Sequence, residues 1–122
     1  MDFEEFCKII RKEIIIDMLF ENPGGGTSRV IDITSSDFIV YQRKASKIRV
    51  NIIELYKVYT YYKGKNVSSS DLKSFKPNIF STKENGHDCN CSLIFLILNK
   101  IGLASEILGR GKRGDPFYVF IK

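Results

Sequence analysis

The sequence predicts an α+β chain of a single domain, residues 1–122: an N-terminal helix and a three-stranded antiparallel meander, then a helical unit closed by a C-terminal β-hairpin. Three observations support this. Apolar residues recur at spacings of three and four in 2–20, 51–63 and 89–103, the period of helices with a buried face. They alternate at period two in 29–33, 38–41, 47–50 and 117–122, as half-buried strands do. A chain of 122 residues that is 43% hydrophobic matches the size of one core, with 1–46 supplying helix plus strands and 47–122 the helical unit.

The first helix opens with Asp2 as N-cap and Glu5 three residues on, a capping-box pattern. Phe3, Phe6, Cys7, Ile10 and Ile14 share one face. Residues 14–20 are apolar on more faces than a solvated helix allows, so they are expected under the sheet or against a partner, either a second copy or another protein. Pro23 and the triplet Gly24, Gly25, Gly26 end the helix; Thr27 and Ser28 follow without the lysine of a phosphate-binding P-loop, so a connector is expected.

In the three strands Ile31 and Ile33, Phe38 and Val40, and Ile48 and Val50 are expected to face the core. Lys47 and Arg49 then share the opposite face of the third strand and, with Arg43 and Lys44 in the turn before it, form a basic cluster. Asn51 and Glu54 make a second capping box, opening a helix whose buried stripe is Ile52, Leu55, Tyr59 and Tyr62 and which Gly64 closes. Ser68 and Asp71 cap a short helix with Leu72 and Phe75 inward, limited by Pro77. A polar loop, 81–88, leads to the most apolar run of the chain, 89–103. There Cys91, Ile94, Leu98 and Ile101 form one face while Leu93, Phe95, Leu96 and Ile97 fill others, more than one stripe needs, so either the core or a protein partner takes the excess. Gly102 caps its end. In the closing hairpin, Phe117, Val119 and Ile121 alternate with Tyr118, Phe120 and Lys122 and pair with 105–108.

The 19 basic and 14 acidic side chains leave a net charge of +5, which favours a polyanionic partner only where the cations cluster. They do so in the hairpin loop, where Arg110, Lys112 and Arg113 alternate with Gly109, Gly111 and Gly114. Glycines let backbone approach closely, so such a loop is a multidentate phosphate ligand; the alternative is a solvated hairpin tip. Three cysteines, an odd number, argue against a disulfide framework. Met1 is followed by acidic Asp2, Glu4 and Glu5, so no cleavable leader is expected; no apolar run approaches the roughly 20 residues of a membrane span, and a cytoplasmic, membrane-free protein is expected.

From Lys47 onward the order is strand, helix, short helix, longer helix and two strands around a cationic loop. This order resembles the winged helix-turn-helix family of DNA-binding domains, over 47–122. The resemblance implies a winged-helix-like unit that binds double-stranded DNA without a cofactor. It implies phosphate or minor-groove contact by Arg110, Lys112 and Arg113, groove contact by Lys83, Asn85, His87 and Asn90, and backbone contact by Ser69 and Ser70. The cluster of Arg43, Lys44, Lys47 and Arg49 would add to the nucleic-acid surface. The chain departs from the family in its long 77–88 connection and in a third helix too apolar to lie exposed in a groove beyond its first turn.

Two other chemistries are weaker. His87, Cys89 and Cys91 have the spacing H-x-C-x-C, with Cys7 a fourth conceivable ligand, but alternate positions at a helix start diverge and structural zinc draws on C-x2-C pairs; buried thiols and a loop histidine are the ordinary reading. Asp32 with Gln42 and Lys44 has the look of a variant magnesium nuclease site, yet it lacks a second carboxylate nearby, Asp37 being in a turn and Glu13 and Asp17 remote in sequence. Neither catalysis nor a metal is expected.

Overall fold

The computed structural model describes all 122 residues. Helix α1 (Phe3–Glu13) starts as the sequence predicts, with the Asp2 carboxylate accepting from the Glu5 N–H at 2.8 Å, and buries Phe6 and Ile10. It stops seven residues sooner than the apolar pattern suggested. Ile14 already has extended backbone, and the β-branched run Ile14-Ile15-Ile16 gives way to strand β1 (Leu19–Glu21) rather than to more helix. Asp17, at φ 71, turns the chain and donates its N–H to the Val30 carbonyl.

The sheet therefore has four strands, not three. β1 pairs with β2 (Thr27–Ile33), β2 with β3 (Phe38–Arg43) and β3 with β4 (Ser46–Asn51), all antiparallel in sequence order. A bulge between Val30 and Asp32 shifts the parity of β2, and Val30 rather than Ile31 points inward. On β3 the inward residues are Ile39 and Tyr41, the reverse of the expected Phe38 and Val40; Phe38 lies outside, under the Arg49 guanidinium at 4.2 Å. Ile48 and Val50 face the core as expected. Because β4 is hydrogen-bonded along its whole length to β3, the sheet extends to Asn51, and a division after residue 46 cuts a hairpin.

Helix α2 (Ile52–Tyr62) is capped by the Asn51 side chain, which accepts from the Ile53 N–H, but Glu54 does not complete a capping box. Its carboxylate is buried instead, 3.1 Å from the Lys76 ammonium and 3.8 Å from that of Lys57. A short strand β5 (Asn66–Ser68) leads into α3 (Ser69–Phe75), where Ser68 and Asp71 form the predicted reciprocal box. Helix α4 (Pro77–Phe80) and a 3-10 turn (Thr82–Glu84) fill much of the long connection. Helix α5 (Cys89–Lys100) ends in a Schellman motif: the Leu103 N–H reaches the Leu98 carbonyl, the Gly102 N–H reaches that of Asn99, and Gly102 has φ +82.

The return strand β6 (Tyr118–Phe120) pairs with β5, and the segment before the basic loop meets it only through bridges at Ala104 and Leu108. Leu93, Ile94, Phe95, Ile97 and Leu98 of α5 are all at most 1% exposed. Most of the apolar excess of this helix is thus taken up by the chain's own core, Leu96 being half-buried; each fully buried side chain contributes about 1.5–3 kcal/mol. One hydrophobic cluster runs from Phe6 to Ile121 and joins sheet, α1, α2 and α5.

Candidate functional site

The largest concavity is an open cleft of about 900 Å3 where the sheet meets the helical unit. Arg43, Lys44, Ser46 and Lys47 line it from the β3–β4 turn, Ser69, Ser70 and Lys73 from α3, His87, Asp88, Cys89 and Ser92 from the start of α5, and Gly111 and Lys112 from the C-terminal loop. Strand parity explains Arg43 and Ser46, whereas Lys47, beside the inward Ile48 and opposite Gln42, is on the other face of its strand. Ile39 and Tyr41 face the core, so Arg43, two residues further, continues the same face beyond the core's edge, opposite Ser46. Five basic residues therefore line the cleft with one carboxylate, that of Asp88, which the Lys73 ammonium approaches to 3.7 Å.

Asp88 is engaged on both sides. It accepts from the Thr82 N–H at 2.9 Å and lies 3.7 Å from the Lys73 ammonium. Partial burial opposes its charge, but the Thr82 hydrogen bonds and the Lys73 cation together hold its carboxyl below the usual aspartate value. Lys73 in turn is four residues from Ser69, on the same face of α3. That spacing was the available signal for Lys73, which the sequence reading passed over, as it did Ser46, Ser92 and Asp88.

A buried polar pair ties β3 to α5. The Tyr41 hydroxyl donates to Asn90 Oδ1 at 2.6 Å, and Asn90 Nδ2 donates to the Ile79 carbonyl at 2.9 Å. Burial pushes the Tyr41 phenol far above its ordinary range, so it stays a donor. Asn90 is only 2% exposed with both ends of its amide used, so it cannot make the groove contact expected of it. Cys91 lies beside it, its thiol directed at the Ser69 and Phe80 carbonyls and pushed up to about 12 by burial.

The remaining expected contacts divide. Lys112, His87, Ser69, Ser70, Arg43, Lys44 and Lys47 come together in the cleft. Arg110, Arg113, Lys83, Asn85 and Arg49 do not line it. Arg110 is tied to Asp115 at 2.8 Å, within its own loop. Lys83 and Asn85 are exposed on the 3-10 turn, and Arg49 is held over Phe38 on the outer face of the sheet.

No three His, Cys, Asp or Glu side chains converge in a way that would hold a metal ion, and all three cysteines are free thiols. Around the sheet, Asp37 is bound by Arg11 at 2.7 Å and Asp17 by Arg29 at 2.8 Å, while Gln42 is tied to Arg29 and to the Lys44 carbonyl. Of the apolar stretch 14–20, Ile14 and Phe20 enter the core; Ile15, Ile16 and Leu19 are 57–63% exposed beside a shallow hollow of about 310 Å3. No helix is long and apolar enough to cross a membrane. Compared with known family models, curated proteins and solved structures, the chain matches none.

Proposed function

We propose that this chain is a DNA-binding domain that holds the sugar–phosphate backbone in the cleft between the β3–β4 turn and the 109–116 loop. The observation that carries the reading is that Arg43, Lys44, Lys47, Lys73 and Lys112, from three separate stretches of sequence, line one cleft that holds a single carboxylate. Like charges brought together repel one another, so an arrangement of this kind favours a polyanion that neutralises them. The serine hydroxyls of α3 and α5 add neutral donors suited to phosphate oxygens. The winged-helix resemblance draws on the order α2, β5, α3, α4, the 3-10 turn, α5, basic loop and β6, with β6 beside β5. The basic loop would then act as the wing through Lys112, and Arg110 would brace the loop rather than touch DNA.

The test is fluorescence anisotropy of labelled DNA across a salt series. Each neutralised phosphate contributes about 0.7 to 0.9 to the slope of log K against log salt. The variant Arg43→Ala/Lys47→Ala/Lys112→Ala is therefore expected to flatten that slope by up to ~2–3 with its circular dichroism unchanged. An unaltered slope in the folded variant removes the cleft from the binding surface.

A further inference from the structure

We infer that the cleft takes one sugar–phosphate strand, a few nucleotides long, and grips its phosphates without reading its bases. This rests on the DNA-binding reading above and narrows it.

Size is the first argument. The cleft encloses about 900 Å3, within the ~300–1,000 Å3 typical of ligand sites. A few nucleotides of one strand fit that space, whereas a duplex, whose major groove alone is about 12 Å wide, can only rest on the rim.

The chemistry of the walls is the second. Lysine, arginine and serine side chains donate to phosphate oxygens from three sides. The two amides that adjoin the lining residues in sequence are occupied, Asn90 by Tyr41 and Ile79 and Gln42 by Arg29 and the Lys44 carbonyl, and neither lines the cleft, so no free amide is there to read adenine.

The third argument is the missing stacking platform. Strands read or held by their bases are usually stacked on aromatic rings. This chain has nine phenylalanines and six tyrosines, yet Phe117 is the only one of them lining the cleft. Its ring is half-buried. A Cβ placed on Gly111 would fall 2.3 Å from it and one on Gly24 3.8 Å away, so the backbone of both glycine-rich loops lies against it. The glycines at 24 and 111 thus pack the two loops against Phe117, so one half-buried ring stands beside the cations and serines of the cleft.

The experiment compares a short abasic deoxyribose-phosphate strand with base-bearing strands of the same length, in several sequences, and with their duplexes, all against the intact protein. Affinities of the abasic and base-bearing strands are expected to agree within about tenfold at every salt concentration, with the duplex no tighter than the strand. The variant Arg43→Ala/Lys112→Ala should weaken abasic and base-bearing strands by the same factor; should it not fold, Lys47→Ala alone serves the same comparison. A preference of more than about tenfold for base-bearing over abasic strand, for one sequence over another, or for duplex over strand overturns the inference and leaves DNA binding intact. Absence of salt-dependent binding to every one of these DNAs overturns the DNA reading itself.

Discussion

Two basic turns line the cleft, and they are held in place differently. The turn of Lys44 and Ala45 closes a hairpin whose strands pair residue for residue from Phe38↔Asn51 to Arg43↔Ser46. It is anchored beneath by the Tyr41–Asn90 bond and by Ile48 in the core. Its tip is not glycine: Lys44 carries φ 55, where glycine would be less strained. The 109–116 loop has almost no ladder. A Lys112–Asp115 bridge, the Arg110–Asp115 ion pair and close packing of its glycines hold it, with Gly109 so near the Pro116 carbonyl that a Cβ would lie 2.2 Å from the oxygen. In the first turn order comes from the elements behind the tip, so its cations are free to change; in the second it comes from residues that lack side chains.

If that contrast is right, the largest effect belongs to the buried anchor of the first turn. Asn90→Ala leaves the Tyr41 hydroxyl without its partner in the interior, while the Ile79 carbonyl keeps the His87 N–H; a stranded buried group costs about 1–3 kcal/mol, and the cavity left by the amide adds to that. Urea unfolding is expected to show a loss of about 2–4 kcal/mol; a loss below ~1 kcal/mol would mean that the ladder alone positions the turn.

Next comes Gly109→Ala. At φ +87 and against the Pro116 carbonyl, the added methyl forces the loop to move. Overpacking and left-handed strain together are worth about 2–4 kcal/mol, and they act locally, so amide exchange should quicken through 109–118 while the amides of 39–50 keep their protection. Uniform acceleration across both segments would erase the distinction between the turns.

The smallest effect is electrostatic. Asp88→Asn keeps an acceptor for Thr82 but frees Lys73 and removes the cleft's one carboxylate. The salt slope of DNA binding should steepen by up to ~0.9. The acid limb of stability should change as well. Asp88 binds its proton less readily folded than unfolded, where its value is near 3.8. Its contribution is therefore complete above that pH and is lost as pH falls through the lower folded value. The variant should lack this loss, and an acid limb identical to that of the parent would mean Asp88 is not held as its contacts indicate.

Much of this molecule was legible before its coordinates. Asp2, Asn51 and Ser68 cap helices where expected, Gly102 ends α5, and the cationic stretches at 43–47 and 110–113 stand out in the sequence. The errors share a cause. Strand β1 is specified by its pairing with 27–29, the inward face of β2 by a bulge against β3, that of β3 by its register with Ile48 and Val50 of β4, and the burial of polar Asn90 by a tyrosine 49 residues away.

The sequence by itself determined the α+β class, the helix starts and which short segments carry positive charge, because caps, turns and periodicity act within about four residues along the chain. Only the tertiary structure decided which cations stand together. Lys73 joins Arg43, Lys47 and Lys112 in one cleft, while Arg110 closes on its own loop and Arg49 covers Phe38. Strand register and the seating of α5 set those distances, and both depend on which distant apolar faces are buried against each other.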